Sequence, residues 1–184
     1  MVRVPAGKFL YGDKKKEKEL PEFWIDKTPV TNAEYARFVA ATGHKPPLHW
    51  KGKTPPEEIV DHPVVYVSWR NAVDYAKWAG KRLPTEKEWE KAARGTDGRE
   101  YPWGDWEEGR CNTQEAGIGN ITPVGQYSPD GDSPYGCVDM AGNVWEWTAT
   151  GEGGLRVLRS GSFLDSRHGA RCASRFRLIP SDDW

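Results

Sequence analysis

HPVVYVSWRNAVDYAKWAGKRLPTEKEWEKAARG, residues 62–95, holds two helix starts in one run, and its reading decides the fold class. Ser68 precedes Ala72, Tyr75, Ala76 and Ala79, an apolar series at helical spacing that Gly80 stops. Thr85 and Glu88 make a capping box, in which hydroxyl and carboxylate each satisfy a backbone N–H of the first turn. Trp89, Ala92 and Ala93 then recur up to Gly95. Upstream the device repeats: Thr31 with Glu34, then Tyr35, Phe38 and Val39, ending at Gly43, which predicts a helix over 32–41.

Outward from these helices the periodicity changes. VRVPAGKFLYG (2–12) reads as a strand into a turn, and FWIDKTPV (23–30) as a second strand. KKKEKE (14–19) reads as a solvated loop rather than a basic binding patch, because acids interrupt it. Residues 44–63 hold five prolines and read as an irregular surface loop. Beyond residue 96, Gly, Pro, Asn and Asp dominate, broken by ITPVGQY (121–127), NVWEWT (143–148) and RVLRSGSF (156–163). These runs predict small strands among long ordered loops, in an α+β, loop-rich fold without internal repeats. Ordered loops of that kind usually carry function.

Composition narrows the function classes. The 184 residues suit a single domain, 1–184. Ten tryptophans in a chain with 37% hydrophobic residues imply a core filled by rings whose N–H groups need partners. A net charge of −1 supplies no field for phosphate backbones, so nucleic acid is not an expected partner. No stretch approaches the roughly 20 apolar residues of a membrane span, so no membrane insertion is expected. MVRVPAGKFLYG has no apolar leader or cleavage site, which points to a cytoplasmic location. Cys111, Cys137 and Cys172 form no CxxC pair and are odd in number, the pattern of reduced thiols. Abundant Lys and Glu, two methionines and stiffening prolines hint at thermostability.

Several segments together carry a resemblance. PVTNAEYARF (29–38), residues 62–95, YPWG (101–104), YGCVDMAGNVWEWT (135–148) and RVLRSGSF (156–163) occur in the order found in formylglycine-generating-enzyme domains, also called sulfatase-modifying factor domains. AGKRLPTEKEWE and GNVWEW are highly specific signatures. The resemblance implies a decorated C-type-lectin-like fold. It also implies a finishing strand with a Gly-Phe-Arg motif, which Asp182-Asp183-Trp184 does not carry.

The enzymes of that family use two cysteines just after this serine-aromatic motif, a thiolate pair suited to a soft metal such as Cu(I). Here the segment reads GSFLDSRHGARCASR: Asp165 stands where the first cysteine would fall, and the second has no counterpart. Cys172 matches a structural cysteine whose implied partner position lies near Ala93, so it reads as a small buried hydrophobe. His44, His49, His62 and His168 are scattered, and GIGNITPVG lacks the helix of a nucleotide loop. No nucleophile elbow occurs. The expectation is a protein that is no enzyme.

For metal, the resemblance implies calcium held by the side chains of Asp139 and Glu146 and the carbonyls of Gly142 and Val144, oxygen donors that suit a hard cation. The other reading has Asp139 capping a turn and Glu146 paired with an arginine. A second family calcium site would begin at Asn112-Thr113, before the shortened loop QEAGIGN.

The segment 156–184 carries six arginines. Arg156, Arg159, Arg171 and Arg175 are expected to pair with acids and hold loops. Between them stand the candidate ligand-binding residues Phe163, Leu164, Asp165, Ser166, His168, Gly169, Phe176, Leu178 and Ile179, a surface for an unknown protein or small-molecule ligand. Phe176 and Ile179 packing inward is the competing account. The variable proteins of diversity-generating retroelements use a similar domain without its cysteines and concentrate diversity at this end. The leading reading is therefore a non-catalytic binding protein, with a formylglycine-generating-enzyme-like oxidase acting on a cysteine or sulfur substrate, or a scaffolding accessory domain, as alternatives.

Overall fold

The computed structural model describes residues 1–181; the motif-less final residues 182–184 lie outside the described residues. Two short strands, β1 (Val2–Val4) and β4 (Phe23–Ile25), pair antiparallel, enclosing a hairpin of β2 (Gly7–Tyr11) and β3 (Lys16–Leu20). The KEKEL run is thus a strand from Lys16 onward and not a loop throughout. Alternating charges leave both its faces solvated, while backbone pairing and a Lys8–Glu17 ion pair hold it to β2.

The three helices form where the capping residues stand. They are α1 (Asn32–Thr42), α2 (Trp69–Trp78) and α3 (Glu86–Arg94). Thr31 with Glu34 and Thr85 with Glu88 close capping boxes, and Ser68 does the same with Asn71. Gly43 ends α1 at φ 72°, a left-handed value that favours glycine. Of the α2 residues expected inward, only Ala76 is fully buried.

The C-terminal half is mostly turns, followed by an antiparallel meander of β5 (Glu146–Glu152), β6 (Leu155–Arg159) and β7 (Phe176–Leu178). ITPVGQY forms no strand. Its backbone serves local turns and a bond to Asp61 instead, since Pro123 and Gly125 interrupt any ladder. No helix among the described residues is long and apolar enough to cross a membrane.

The central core gathers Val4, Phe23, Trp89, Ala92, Ala93, Cys137, Met140 and Cys172. A second cluster packs Tyr35, Phe38, Val39 and Trp50 between α1 and its neighbours. Trp50, Trp69, Trp89 and Trp147 donate their indole N–H groups to Asn32, the Thr148 carbonyl, Glu146 and the Val67 carbonyl. Ring-filled cores need such partners.

Helix α3 buries charge as well as apolar surface. Glu90 has no exposed surface; one of its oxygens meets Arg94 and the Gly12 N–H, the other Arg159. Lys91 reaches through the core to the carbonyls of Pro5 and Gly7. The Arg159 guanidinium also lies 5.3 Å from the Trp89 ring centroid and bonds the Cys172 carbonyl. This knot ties α3, the β2 turn, β6 and the segment after residue 169 together, and so sets the face described next.

Candidate functional site

The residues expected to bind ligand fall into two groups. Phe163–Gly169 form a looped turn held by backbone bonds: Phe163 N–H to Asn143, Gln114 N–H to Asp165, and Gly169 N–H to Ser166. Leu164 is 71% exposed at its tip, while Phe163 is half-buried. Asp165 turns back and accepts bonds from the Ser162 N–H and hydroxyl, so its carboxylate braces the loop. Its Cβ also lies where a Gly169 side chain would sit, which keeps residue 169 small. The His168 side chain is exposed, and its carbonyl takes bonds from Arg171 and Ser174.

Phe176, Leu178 and Ile179 lie on or just after β7, the outer strand of the meander. Phe176 and Ile179 stay 46% and 53% exposed, against the account that packs them inward. Leu178 is half-buried. Of the nine residues, the structure brings Gly169 and Phe176 to one groove of about 590 Å3.

Residues that the sequence did not mark for ligand binding complete that groove. Tyr11 to Lys14 with Lys16 line it from the hairpin turn, Arg171 and Ala173 to Phe176 from the C-terminal segment, and Trp145 lines it as well. The Trp145 and Phe176 ring centroids stand 5.7 Å apart at 35°. Burial and neighbouring Glu86 push the Tyr11 phenol up to about 12, so it stays neutral. The signal the sequence held for this groove was a lysine run adjoining a strand end.

The arginines follow the expected pattern with one exception. Arg159 meets Glu90, Arg171 meets Asp13 at 2.9 Å, Arg175 approaches Glu86 and Glu90, and Arg177 meets Glu152. Arg156 pairs with no acid among the described residues: its guanidinium stacks 3.9 Å from the Trp69 ring centroid, and Gly151 leaves room for it.

All three cysteines are free and buried. Cys137 and Cys172 belong to the central cluster and Cys111 to a small one beneath Trp103 and Trp106. Burial pushes the thiols up to about 12, 11 and 12 for Cys111, Cys137 and Cys172, so none offers a thiolate at neutral pH. Cys172 and Ala93 share the same core, each without exposed surface.

Glu146 is walled in by protein, yet its accessible surface faces a cavity of about 480 Å3 lined also by Phe23, Tyr75, Met140 and Trp147. Its hydrogen-bond partner is the Trp89 N–H and no arginine, and burial raises its carboxyl to about 7. Asp139, at φ 57°, accepts the Gly125 N–H, and burial raises its carboxyl as well. Two carboxyls raised by burial, with no cation paired to either among the described residues, suit a hard metal ion in chemistry. The Gly142 carbonyl meanwhile accepts the Ser160 hydroxyl. At the other implied site, Asn112 Oδ1 is buried without a partner, again an oxygen available to a cation. Among the described residues, no three His, Cys, Asp or Glu side chains converge on one point.

Comparison with known proteins fits this geometry. The profile described as "Sulfatase-modifying factor enzyme 1-like domain" matches residues 1–183. A formylglycine-generating enzyme from Streptomyces coelicolor is 35% identical, the match covering 96% of this chain and 82% of the relative. The inactive C-alpha-formylglycine-generating enzyme 2 of Mus musculus is 31% identical over 98% of this chain and 81% of its own length. Among solved structures, PvdO from Pseudomonas aeruginosa superposes with a TM-score of 0.81 at 24% identity, covering 98% of this chain and 88% of that one. Treponema denticola variable protein 1 superposes with a TM-score of 0.80 at 20% identity, covering 100% and 91%. These likenesses show the loop-rich α+β, C-type-lectin-like fold implied by the sequence motifs, in a family whose relatives include both enzymes and an inactive member. The chain belongs to the sulfatase-modifying factor enzyme 1-like domain family.

Proposed function

We propose that this protein is a non-catalytic ligand-binding domain that presents residues 163–179 and the adjoining groove to a protein or small-molecule ligand. One observation carries the reading. Where the family's enzymes place their reactive thiols, this chain has Asp165 bonded to Ser162, and the cysteine that follows it in the chain, Cys172, is sealed in the core as a thiol. A site without a thiolate lacks the soft ligands that copper chemistry requires. The inactive mouse relative supports the view that the scaffold persists without the reaction.

Within this reading, the likeness in fold to a Treponema variable protein supports membership among the variable proteins of diversity-generating retroelements. In that case a template repeat differing at adenines, together with a reverse transcriptase, lies beside the gene. A genome lacking both removes this part of the proposal.

The alternative is an oxidase acting on a cysteine or sulfur substrate, favoured by the 35% identity to an authentic enzyme. Incubation with copper and a cysteine-containing peptide separates the two. Aldehyde formation or oxygen uptake decides for the oxidase; neither is expected. Calcium, if bound, would be held by Asp139, Gly142, Val144 and Glu146, and would neutralise the two buried carboxylates.

A further inference from the structure

We propose that the groove between the β2–β3 turn and β7 takes a small ligand joining an anionic group to a flat aromatic body, with Arg175 as the anion's principal partner. This deepens the proposed binding role and rests on it.

Arg175 is the starting point. Its guanidinium sits 5.2 Å from the Tyr11 ring centroid, while its nearest carboxylate oxygens, on Glu86 and Glu90, stand 3.7 and 3.8 Å away. Those separations exceed hydrogen-bond length, so the fork is steered but not engaged. The Glu90 charge is already answered by Arg94 and Arg159 at shorter range. A planar guanidinium whose donors make no hydrogen bond among the described residues matches a carboxylate or phosphate in two-point fashion.

The surroundings favour the same ligand. Lys14 and Lys16 line the groove and make no ion pair among the described residues, whereas Asp13, the acid on that bank, is answered by Arg171. Gly12, at φ 70°, would carry a Cβ 3.7 Å from Arg175 Nη2, so any longer side chain there would crowd the guanidinium. Trp145 and the half-exposed Phe176 give the same groove a ring-lined shelf. Such faces favour offset or edge contacts with another ring. A bare anion would use the cations and leave the shelf wet; a neutral ring would do the reverse.

Calorimetry and amide-shift mapping with phenyl phosphate, benzoate, inorganic phosphate and benzyl alcohol test this. Phenyl phosphate or benzoate should bind roughly tenfold or more tightly than inorganic phosphate or benzyl alcohol, a difference of about 1.4 kcal/mol. Whichever binds better identifies the anion. Shifts should map to Gly12–Lys16, the Trp145 indole and residues 175–176. Arg175→Gln and Phe176→Ala should each weaken binding severalfold, and Arg175→Lys should not restore it. If Arg175 variants fail to fold, the surface double substitution Lys14→Ser with Lys16→Ser must weaken binding and flatten its salt dependence. Benzyl alcohol binding as well as benzoate, shifts mapping elsewhere, or unchanged affinity in the variants overturns the proposal. Those results leave the non-catalytic reading standing, since that falls only if peptide oxidation is observed.

Discussion

Glu90 and Arg159 face each other in the core with no solvent reaching either side chain. The carboxylate also serves Arg94 and the Gly12 N–H, so one buried acid joins a helix, a hairpin turn and a strand. Removing the shared acid leaves two buried guanidinium groups, Arg94 and Arg159, without their counter-charge. Glu90→Gln should therefore cost about 3–5 kcal/mol of unfolding free energy. Urea denaturation reads this directly, and a loss below about 1 kcal/mol, the scale of an exposed pair, would contradict it.

The thiols make a second expectation. Burial holds all three as thiols well above neutral pH. A disulfide exchange reagent at mildly alkaline pH should leave the native protein unmodified and label all three cysteines after unfolding. Rapid native labelling of Cys172 would reopen the oxidase reading.

Glu146 sets a pH dependence. Its carboxyl is raised from 4.5 to about 7, chiefly by burial, so between these values the folded chain keeps a proton that the unfolded chain has lost. Without metal, stability should then fall as pH rises through that window, by roughly 3 kcal/mol in all. Glu146→Gln should flatten the slope. Millimolar calcium should raise Tm most above neutral pH in the parent protein and leave the variant unmoved. Thermal scans across pH with calcium or chelator decide both points; a flat profile in the parent protein refutes the first.

Gly142 offers a backbone test. It sits at φ 75°, and a Cβ there would strike the Asn112 carbonyl. Gly142→Ala should cost about 3 kcal/mol, combining left-handed strain with a clash against backbone. Gly117→Ala, at φ 68° with open space around its Cβ, should cost about 1 kcal/mol. Chemical denaturation of the two variants side by side checks the contrast.

How far the sequence could be read depended on the range of the forces involved. The helices were legible because Thr31, Ser68 and Thr85 act on N–H groups three residues away. Asp165 could be set against the family's first thiol because flanking motifs fix its position in the chain. Glu90 and Lys91 were not legible, since their partners lie far along the chain at Arg159, Pro5 and Gly7. The groove escaped for the same reason: Lys14 and Arg175 meet only through the fold. Arg156 was expected to find an acid and found the Trp69 ring, because Gly151 removes the side chain that would have kept the guanidinium away.

The loop around residues 163–169 is anchored chiefly through main-chain groups, with Phe163 and Gly169 donating their N–H and Asp165 accepting through its carbonyl. Anchors of that type are indifferent to the side chains they carry. Leu164 and His168 can therefore be exchanged for almost any residue while the chain's path holds, so new surfaces can be tried at little risk to folding. Asp165, bonded to Ser162, and Gly169, where a side chain would strike the Asp165 Cβ, mark where that freedom stops.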